Sequence, residues 1–410
     1  MVEAAFYGDD FTGSTDAMVQ FARVGLRAVL LVTLPSASEL RELAGRYDVI
    51  GVAGIARSLP PDEQEAEVRP VLEALRELGP RVLQYKVCST ADSSPSRGSI
   101  GRALEIGREV CGSAVVPILV AQPELGRYTV FSHHFAAEAG TVHRLDRQPT
   151  MSTHPSTPMH ESDLRRHLSH QTSLPLAALH LTSYPNGAVM PGGVGAVVLD
   201  ALTDEDLRTL GGVILRDGSA GEVRFAIGSG GLSRALGLAL RPEGEVVGSG
   251  TSGAGGPVLV VSGSQSPRTA EQIEHARLAG WTVLPLDDEV AEWVVGAFSA
   301  GGEGVVVHTN GVAPEELGWV PGVLAEVVRR AAGVGVRRVV VAGGDTSGQV
   351  LRELEVRALE LAGGATPISP GVHLCRAASA VPGVHGLEVL LKPGQLGGVE
   401  LFTEFQRWSG

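Results

Sequence analysis

Short apolar runs rich in Val, Ile and Leu recur along the chain, at residues 4–8, 29–34, 49–53, 82–87, 115–121, 194–200, 225–229, 257–261, 304–308, 339–341 and 387–391. Runs that stay apolar on successive residues belong to strands covered on both faces, as in a parallel sheet. Between them, apolar residues return at helical spacing. Over residues 62–78, Val68, Val71, Leu72, Leu75 and Leu78 share one face, and acidic residues gather at the start, where the helix dipole favours them. Ala17, Met18, Phe21 and Ala22 form a similar stripe closed by Gly25, and Thr203 reads as the N-cap of a helix over residues 203–210. A helix is also expected over residues 320–332, and another after residue 347 through Val350, Leu351, Leu354, Ala358 and Leu361. The alternation of strand and helix predicts an α/β fold, built as two α/β domains with mainly parallel sheets.

A Pro/Gly/Ser/Glu stretch over residues 241–256 breaks the pattern and reads as a linker. It divides the chain into a domain over 1–240 and a second over 257–410. The least regular part, residues 127–137 and 141–158, holds His133, His134, His143, His154 and His160. None of these histidines shows a zinc-ligand spacing, so the segment is expected to be a lid or wall over a polar substrate.

In open α/β sheets, ligands bind at the carboxyl ends of strands. The run at 339–341 ends in Gly343, Gly344, Asp345, Thr346 and Ser347. Two glycines allow close backbone approach, and the free N–H groups of a helix's first turn favour an anion. A phosphate site and an ordinary capped turn both fit this stretch alone. Three more turns in the same half are rich in Gly, Ser or Pro: residues 262–269, 367–372 and 392–398. Many backbone donors with one Lys suit a nucleotide better than a sugar acid. In the first half, Asp9, Asp10 and Asp16 share one loop and repel one another unless a cation or hydroxyls sit among them, which suggests a polyol or metal site. Arg57 reads as a bidentate clamp for a carboxylate or as a surface ion pair. Lys86 opens a loop dense in hydroxyls, with Ser89, Thr90, Asp92 and Ser93.

A formal net charge of −13 argues against non-specific nucleic-acid binding. No apolar run is long enough to span a bilayer, and residues 1–8 lack the basic region of a signal peptide. Cys88, Cys111 and Cys375 are odd in number and far apart, as expected of reduced thiols in a cytoplasmic protein.

Six stretches in order carry a resemblance over essentially the whole chain: residues 8–13 (Gly-Asp-Asp-Phe-Thr-Gly), 85–90 (Tyr-Lys-Val-Cys-Ser-Thr), 92–95 (Asp-Ser-Ser-Pro), His154-Pro155 with 157–159, 343–347, and Lys392-Pro393-Gly394. In these the chain resembles the four-carbon acid sugar kinases. The resemblance implies an N-terminal domain for the sugar acid, a C-terminal domain for ATP, and an active site in the cleft between them. It also implies magnesium-dependent phosphoryl transfer to a terminal hydroxyl. Asp9, Asp10, Thr12, Arg57, Lys86, Ser89, Thr90, Asp92, Ser93 and His154 are then the candidates for the acid. Ser262, Ser264, Gly343, Gly344, Asp345, Thr346, Ser347, Gly371, Val372, Lys392, Gly394 and Gly397 are the candidates for the nucleotide. Lys86, Asp10 and Asp345 are the candidates for catalysis, Asp345 as base or magnesium contact, and no residue is assigned as a dedicated metal ligand. The partners implied are the sugar acid, ATP and, as a candidate, a second copy of the chain. Ala91 stands where the family pattern has Phe, which would leave room for a branched acid, and Gln395-Leu396 replaces the usual Asn-Phe. Residues 144–151 resemble members found with RuBisCO-like proteins, so 3-oxo-isoapionate joins threonate, erythronate and 3-oxo-tetronate as an expected substrate. A sugar-acid-binding regulatory protein without turnover and an NAD-linked oxidoreductase are the competing readings, the latter lacking a GxGxxG turn.

Overall fold

A computed structural model of the chain describes residues 2–138, 140–154, 156–216, 222–242, 255–310, 319–362 and 368–408. It resolves into two compact units. The first comprises Met1–Ala28 and Leu34–Glu245, the second Val29–Thr33 and Val246–Gly410. Most of the linker expected at 241–256 lies outside the described residues.

The strands begin with β1 (Ala4–Gly8), β2 (Ala28–Leu31), β3 (Val49–Ala53), β4 (Val82–Lys86) and β5 (Val116–Leu119). There follow β6 (Arg127–Val130), β7 (His133–Glu138), β8 (Thr141–Arg144), β9 (Leu176–Leu179), β10 (Ala196–Leu199) and β11 (Arg224–Gly228). The main sheet of the first unit is parallel and runs β3-β1-β4-β11-β5-β10-β9. Its central strands are buried along their full length, which is why they read as unbroken apolar runs. From β1 the chain goes to β3 on one side and then crosses to β4 on the other. Such a reversal opens a crevice at the carboxyl ends of β1 and β4.

The segment expected to be irregular is a second, antiparallel sheet of β6, β7 and β8. Its first turn, Phe131-Ser132, has both residues in the left-handed region, φ 48° and 68°, without the Asn or Gly that usually marks such a hairpin. The buried carboxylate of Asp200, at the end of β10, accepts both backbone N–H groups, at 2.7 and 2.9 Å. A tertiary contact therefore holds a turn that local sequence does not announce.

In the second unit, β12 (Val258–Ser262), β13 (Thr282–Pro285), β14 (Gly304–His308), β15 (Arg338–Ala342), β16 (Val356–Leu361), β17 (His373–Ser379) and β18 (Glu388–Lys392) join one sheet. β13-β14-β12-β15-β18 are parallel, and β17, β16 and β2 continue the sheet antiparallel. Val258, Val260, Val306, Val340 and Leu390 form its core with Leu401, Phe402 and Phe405 of the closing helix Leu401–Arg407. Here the order reverses at β12, with β14 on one side and β15 on the other, so the crevice lies where Ser262 and Ala342 stand side by side.

Three expectations change. The helix after β15 spans Gly344–Glu353 and stops at a left-handed Glu355, φ 52°, so Ala358 and Leu361 lie in β16. In the helix Pro267–Leu278, the apolar spacing of Ile273, Ala276 and Leu278 predicts one packed face, yet only the first two are buried and Leu278 is 72% exposed. The run at residues 29–34, read with the first domain, supplies β2 to the second unit, with Leu30 opposite Leu359. Pattern shows that a segment is a strand and says nothing of which edge it joins.

Leu30 is fully buried, so Leu30→Ala should cost about 2–5 kcal/mol in urea unfolding of the full chain. A loss below about 1 kcal/mol would place Leu30 outside a packed sheet.

Candidate active site

In the first unit the β1 and β4 ends are joined directly: Asp9 N–H donates to the Lys86 carbonyl at 3.0 Å. The cation demanded by the adjacent carboxylates is Arg57, on the short turn Ala56–Ser58 after β3. Its Nη2 reaches Asp9 Oδ1 at 2.6 Å and Asp10 Oδ1 at 2.8 Å, and its Nε reaches Asp9 Oδ2 at 3.3 Å. Arg57 is thus neither a surface pair nor a free fork for a substrate carboxylate. Asp10 also caps the helix Phe11–Ala22, accepting from Gly13 N–H at 3.1 Å and Thr12 Oγ1 at 2.9 Å.

These surroundings separate the two acids. Burial raises the Asp9 pKa to about 6, against the pull of Arg57, with the Asp10 charge adding to the rise. Burial pushes on Asp10 too, but Arg57, Lys86, Thr12 and the Gly13 N–H together hold it below the ordinary carboxylate value. A methyl on Gly13 would meet Asp10 Oδ1 at 2.3 Å and Lys86 Nζ at 2.9 Å, so the absent side chain lets both groups crowd one point. Lys86 is buried and donates to the Val87 carbonyl at 2.8 Å, leaving two further N–H groups.

The hydroxyl loop is internally bonded. Thr90 donates to Asp92 at 2.7 Å and lies 2.9 Å from the Cys88 sulfur. Ser93 donates to the Ala91 carbonyl and is met by Gln171 and His167, each at 2.9 Å. Its hydroxyl is spent on the loop. Ala91 is 1% exposed with φ 52°, so no open space borders its methyl. The Ser89 carbonyl accepts from His134 Nε2 at 2.8 Å, which fixes the neutral tautomer whose Nδ1 accepts from Thr129 Oγ1 at 2.9 Å. His154 Nδ1 accepts from Thr157 within its own turn, and His133 bonds Ser162. Among the described residues no three His, Cys, Asp or Glu side chains stand together as a metal site.

The second unit holds a cavity of about 820 Å³ lined by Gly263, Ser264, Gly343, Gly344, Thr346 and Gly394, together with Trp319, Val320, Pro321, Gly322, Gln349 and Glu353. Gly343, φ 118°, adopts a conformation that only glycine takes readily. At Gly263 a methyl would meet Thr346 Oγ1 at 2.3 Å. These two glycines bring the β12 turn against the start of the helix Gly344–Glu353, whose first N–H groups have no helical carbonyl to bond.

Other expected nucleotide contacts face elsewhere. The Ser347 hydroxyl turns back to the Gly343 carbonyl at 2.6 Å, and Ser262 is fully buried, accepting from Ser264 N–H. Val372 belongs to the core, and Gly371 and Gly397 stand outside the cavity lining. Lys392 uses all three N–H groups on Thr269 Oγ1 (2.7 Å), the Pro393 carbonyl (3.1 Å) and the Gly394 carbonyl (2.9 Å). Burial, with Arg268 nearby, lowers its pKa to about 8. It shapes the turn beside the cavity rather than reaching into it. The Asp345 backbone lies in the helix's first turn, and its side chain is outside the described residues. Sequence reading missed Trp319, Gln349 and Glu353. The spacing of Thr346, Gln349 and Glu353 on one helical face was the available signal.

Burial lowers His134 and His167 to about 4. In the unfolded chain both titrate near 6.5, so between pH 6.5 and 4 the unfolded state binds more protons. Stability should be independent of these groups above pH 6.5 and fall on acidification below it, by up to about 1.4 kcal/mol per pH unit for each histidine. Urea unfolding at stepped pH checks this: His134→Gln with His167→Gln should flatten the slope, and an unchanged slope would assign the acid sensitivity elsewhere.

Comparison with known proteins agrees with this division. A sugar-binding N-terminal domain profile matches residues 4–236, and a nucleotide-binding C-terminal domain profile matches residues 259–402. A 3-oxo-isoapionate kinase of Paraburkholderia graminis is 37% identical, covering 97% of this chain and 93% of the relative. A 3-oxo-tetronate kinase of Pseudomonas fluorescens is 33% identical, covering 97% and 94%. Crystal structures of proteins from Salmonella typhimurium LT2 and Haemophilus influenzae share the fold, with TM-scores of 0.79 and 0.72 at 24% and 22% identity. They cover 99% and 98% of this chain and 99% of each of theirs. Neither the regulatory nor the oxidoreductase reading has a counterpart among these relatives. With both profiles matched in order and close relatives along nearly the whole length, the chain belongs to the four-carbon acid sugar kinase family.

Proposed function

We propose that this protein transfers the terminal phosphoryl group of ATP to the terminal hydroxyl of a small 3-oxo sugar acid, with branched 3-oxo-isoapionate as the preferred acceptor. The observation that carries the reading is the Gly343–Gly344 turn. It puts free helix N–H groups and glycine backbone in the lining of one roomy cavity. The crevice of the first unit supports an acid and its hydroxyls: Lys86 keeps two N–H groups for a carboxylate, and Asp10, held ionised, accepts from hydroxyls. Asp9, Thr12, Arg57, Ser89, Thr90, Asp92 and Ser93 shape that crevice through their own bonds.

Phosphoryl transfer asks for in-line positioning and charge neutralisation more than covalent chemistry. Alignment of two bound substrates supplies on the order of 7–11 kcal/mol. Mg²⁺ arriving on the nucleotide would neutralise charge on its phosphates, and Asp345 is the residue we assign as base or metal contact. The preference for a branched acid is supported by the more similar of the two kinase relatives. Discrimination of one carbon by size amounts to about 10–200-fold, so a linear acid should remain a substrate. The free thiols of Cys88, Cys111 and Cys375 support a cytoplasmic setting.

A coupled ADP-release assay over 3-oxo-isoapionate, 3-oxo-tetronate, threonate and erythronate tests the reading. Turnover is expected with a 3-oxo acid and highest with the branched one; ADP release independent of any acid would sink it. Lys86→Met should raise the KM for the acid by about tenfold or more and leave the KM for ATP unchanged. An equal rise for both would give Lys86 a structural role instead.

A further inference from the structure

We propose that the cavity of the second unit seats a purine nucleotide in one direction, with its phosphates on the Gly343–Gly344 turn, its base against Trp319 and its ribose hydroxyls donating to Glu353. The assignment rests on the nucleotide reading of this unit and adds the orientation and the recognition of the nucleoside.

The lining of the cavity is of two chemical kinds. Gly263, Ser264, Gly343, Gly344 and Gly394, gathered about Thr346, give backbone donors and a hydroxyl, and Trp319, Val320 and Pro321 give apolar surface. The helix Gly344–Glu353 is a ruler along the cavity from Thr346. Thr346, Gln349 and Glu353 all line the cavity and follow one another by three and four residues, so they share one face. At 1.5 Å per residue, Glu353 stands about 10 Å along the axis from Thr346. That is the reach from a nucleotide's phosphates to its nucleoside.

Charge agrees with this direction. A carboxylate beside polyphosphate would repel it, whereas beside the uncharged ribose it accepts from two neighbouring hydroxyls. Glu353 is at that distance, and Arg329 bonds its backbone carbonyl to anchor the end of the helix. Trp319 is 44% exposed although it is among the largest apolar side chains. Val320, next to it, is 3% exposed and starts the helix Val320–Gly333, which fixes the backbone that carries the ring. A ring held at a cavity wall offers a stacking face that accepts any purine and takes no account of the phosphates.

Calorimetric titration of full-length protein with ADP and, separately, with inorganic tripolyphosphate tests the assignment, alongside melting curves for every variant. Trp319→Ala should weaken ADP by about tenfold or more and shift tripolyphosphate by less than about twofold. Trp319→Phe should recover most of the ADP affinity. Glu353→Ala should weaken ADP and abolish the advantage of ADP over its 2′,3′-dideoxy analogue. If wild type binds ADP and Trp319→Ala leaves that affinity unchanged, or lowers ADP and tripolyphosphate alike, the base sits elsewhere and the orientation is overturned while the nucleotide site stands. If wild type binds neither ligand, the nucleotide reading fails and the orientation with it.

Discussion

A single guanidinium placed between two neighbouring carboxylates sets the geometry of the first unit's crevice. Arg57 bonds both Asp9 and Asp10, and its own N–H bonds the Asp9 carbonyl at 2.9 Å, so main chain and side chain fix the same junction. Without that cation, buried Asp9 would face part-buried Asp10 uncompensated, at a cost on the order of 3–5 kcal/mol. With it, Asp10 can cap the helix Phe11–Ala22 and Lys86 can approach the same point over Gly13. Lys392 does the equivalent work in the second unit. Its three bonds hold the turn at the end of β18, one strand away from the Gly343 turn. In both units a cation near a strand end, part-buried Arg57 and buried Lys392, is spent on architecture. In the second unit the cavity beside it is lined by glycine backbone and by the hydroxyl residues Ser264 and Thr346.

That pattern marks where sequence reading succeeds and where it stops. Unbroken Val/Ile runs such as 339–341 announced buried parallel strands, because full burial leaves no polar alternation. Glycines before a helical stripe announced a tight strand-to-helix turn, because Gly343 needs a backbone angle other residues avoid. The crowding of Asp9 and Asp10 announced that a cation or hydroxyls must sit among them, and Arg57 is that group in place of a metal or polyol. Which cation, and what it leaves free, was not legible, since both depend on partners distant in the chain. Lys392 and Ser347 have donor groups of the right kind, yet their hydrogens are taken by carbonyls of their own turns and, for Lys392, by Thr269 Oγ1 as well.

The same limit applies to elements. The hairpin at Phe131-Ser132 has no turn signal of its own because Asp200, some seventy residues later, supplies the acceptor. β2 reads as a strand in any context, and its pairing with β16 depends on residues more than three hundred positions later. Trp319 escaped notice because a lone aromatic before a helix looks like any surface residue until the cavity is seen around it.

The central claim is a division of labour: the acid on the first unit, the nucleotide on the second. Hydrogen exchange of backbone amides with each ligand alone tests it most directly. A non-transferable 3-oxo acid should slow exchange at residues 9–13 and 86–93 and leave 263–264 and 343–349 unchanged, and ADP should do the reverse. Protection of the Asp9 and Lys86 segments by ADP alone would contradict the account.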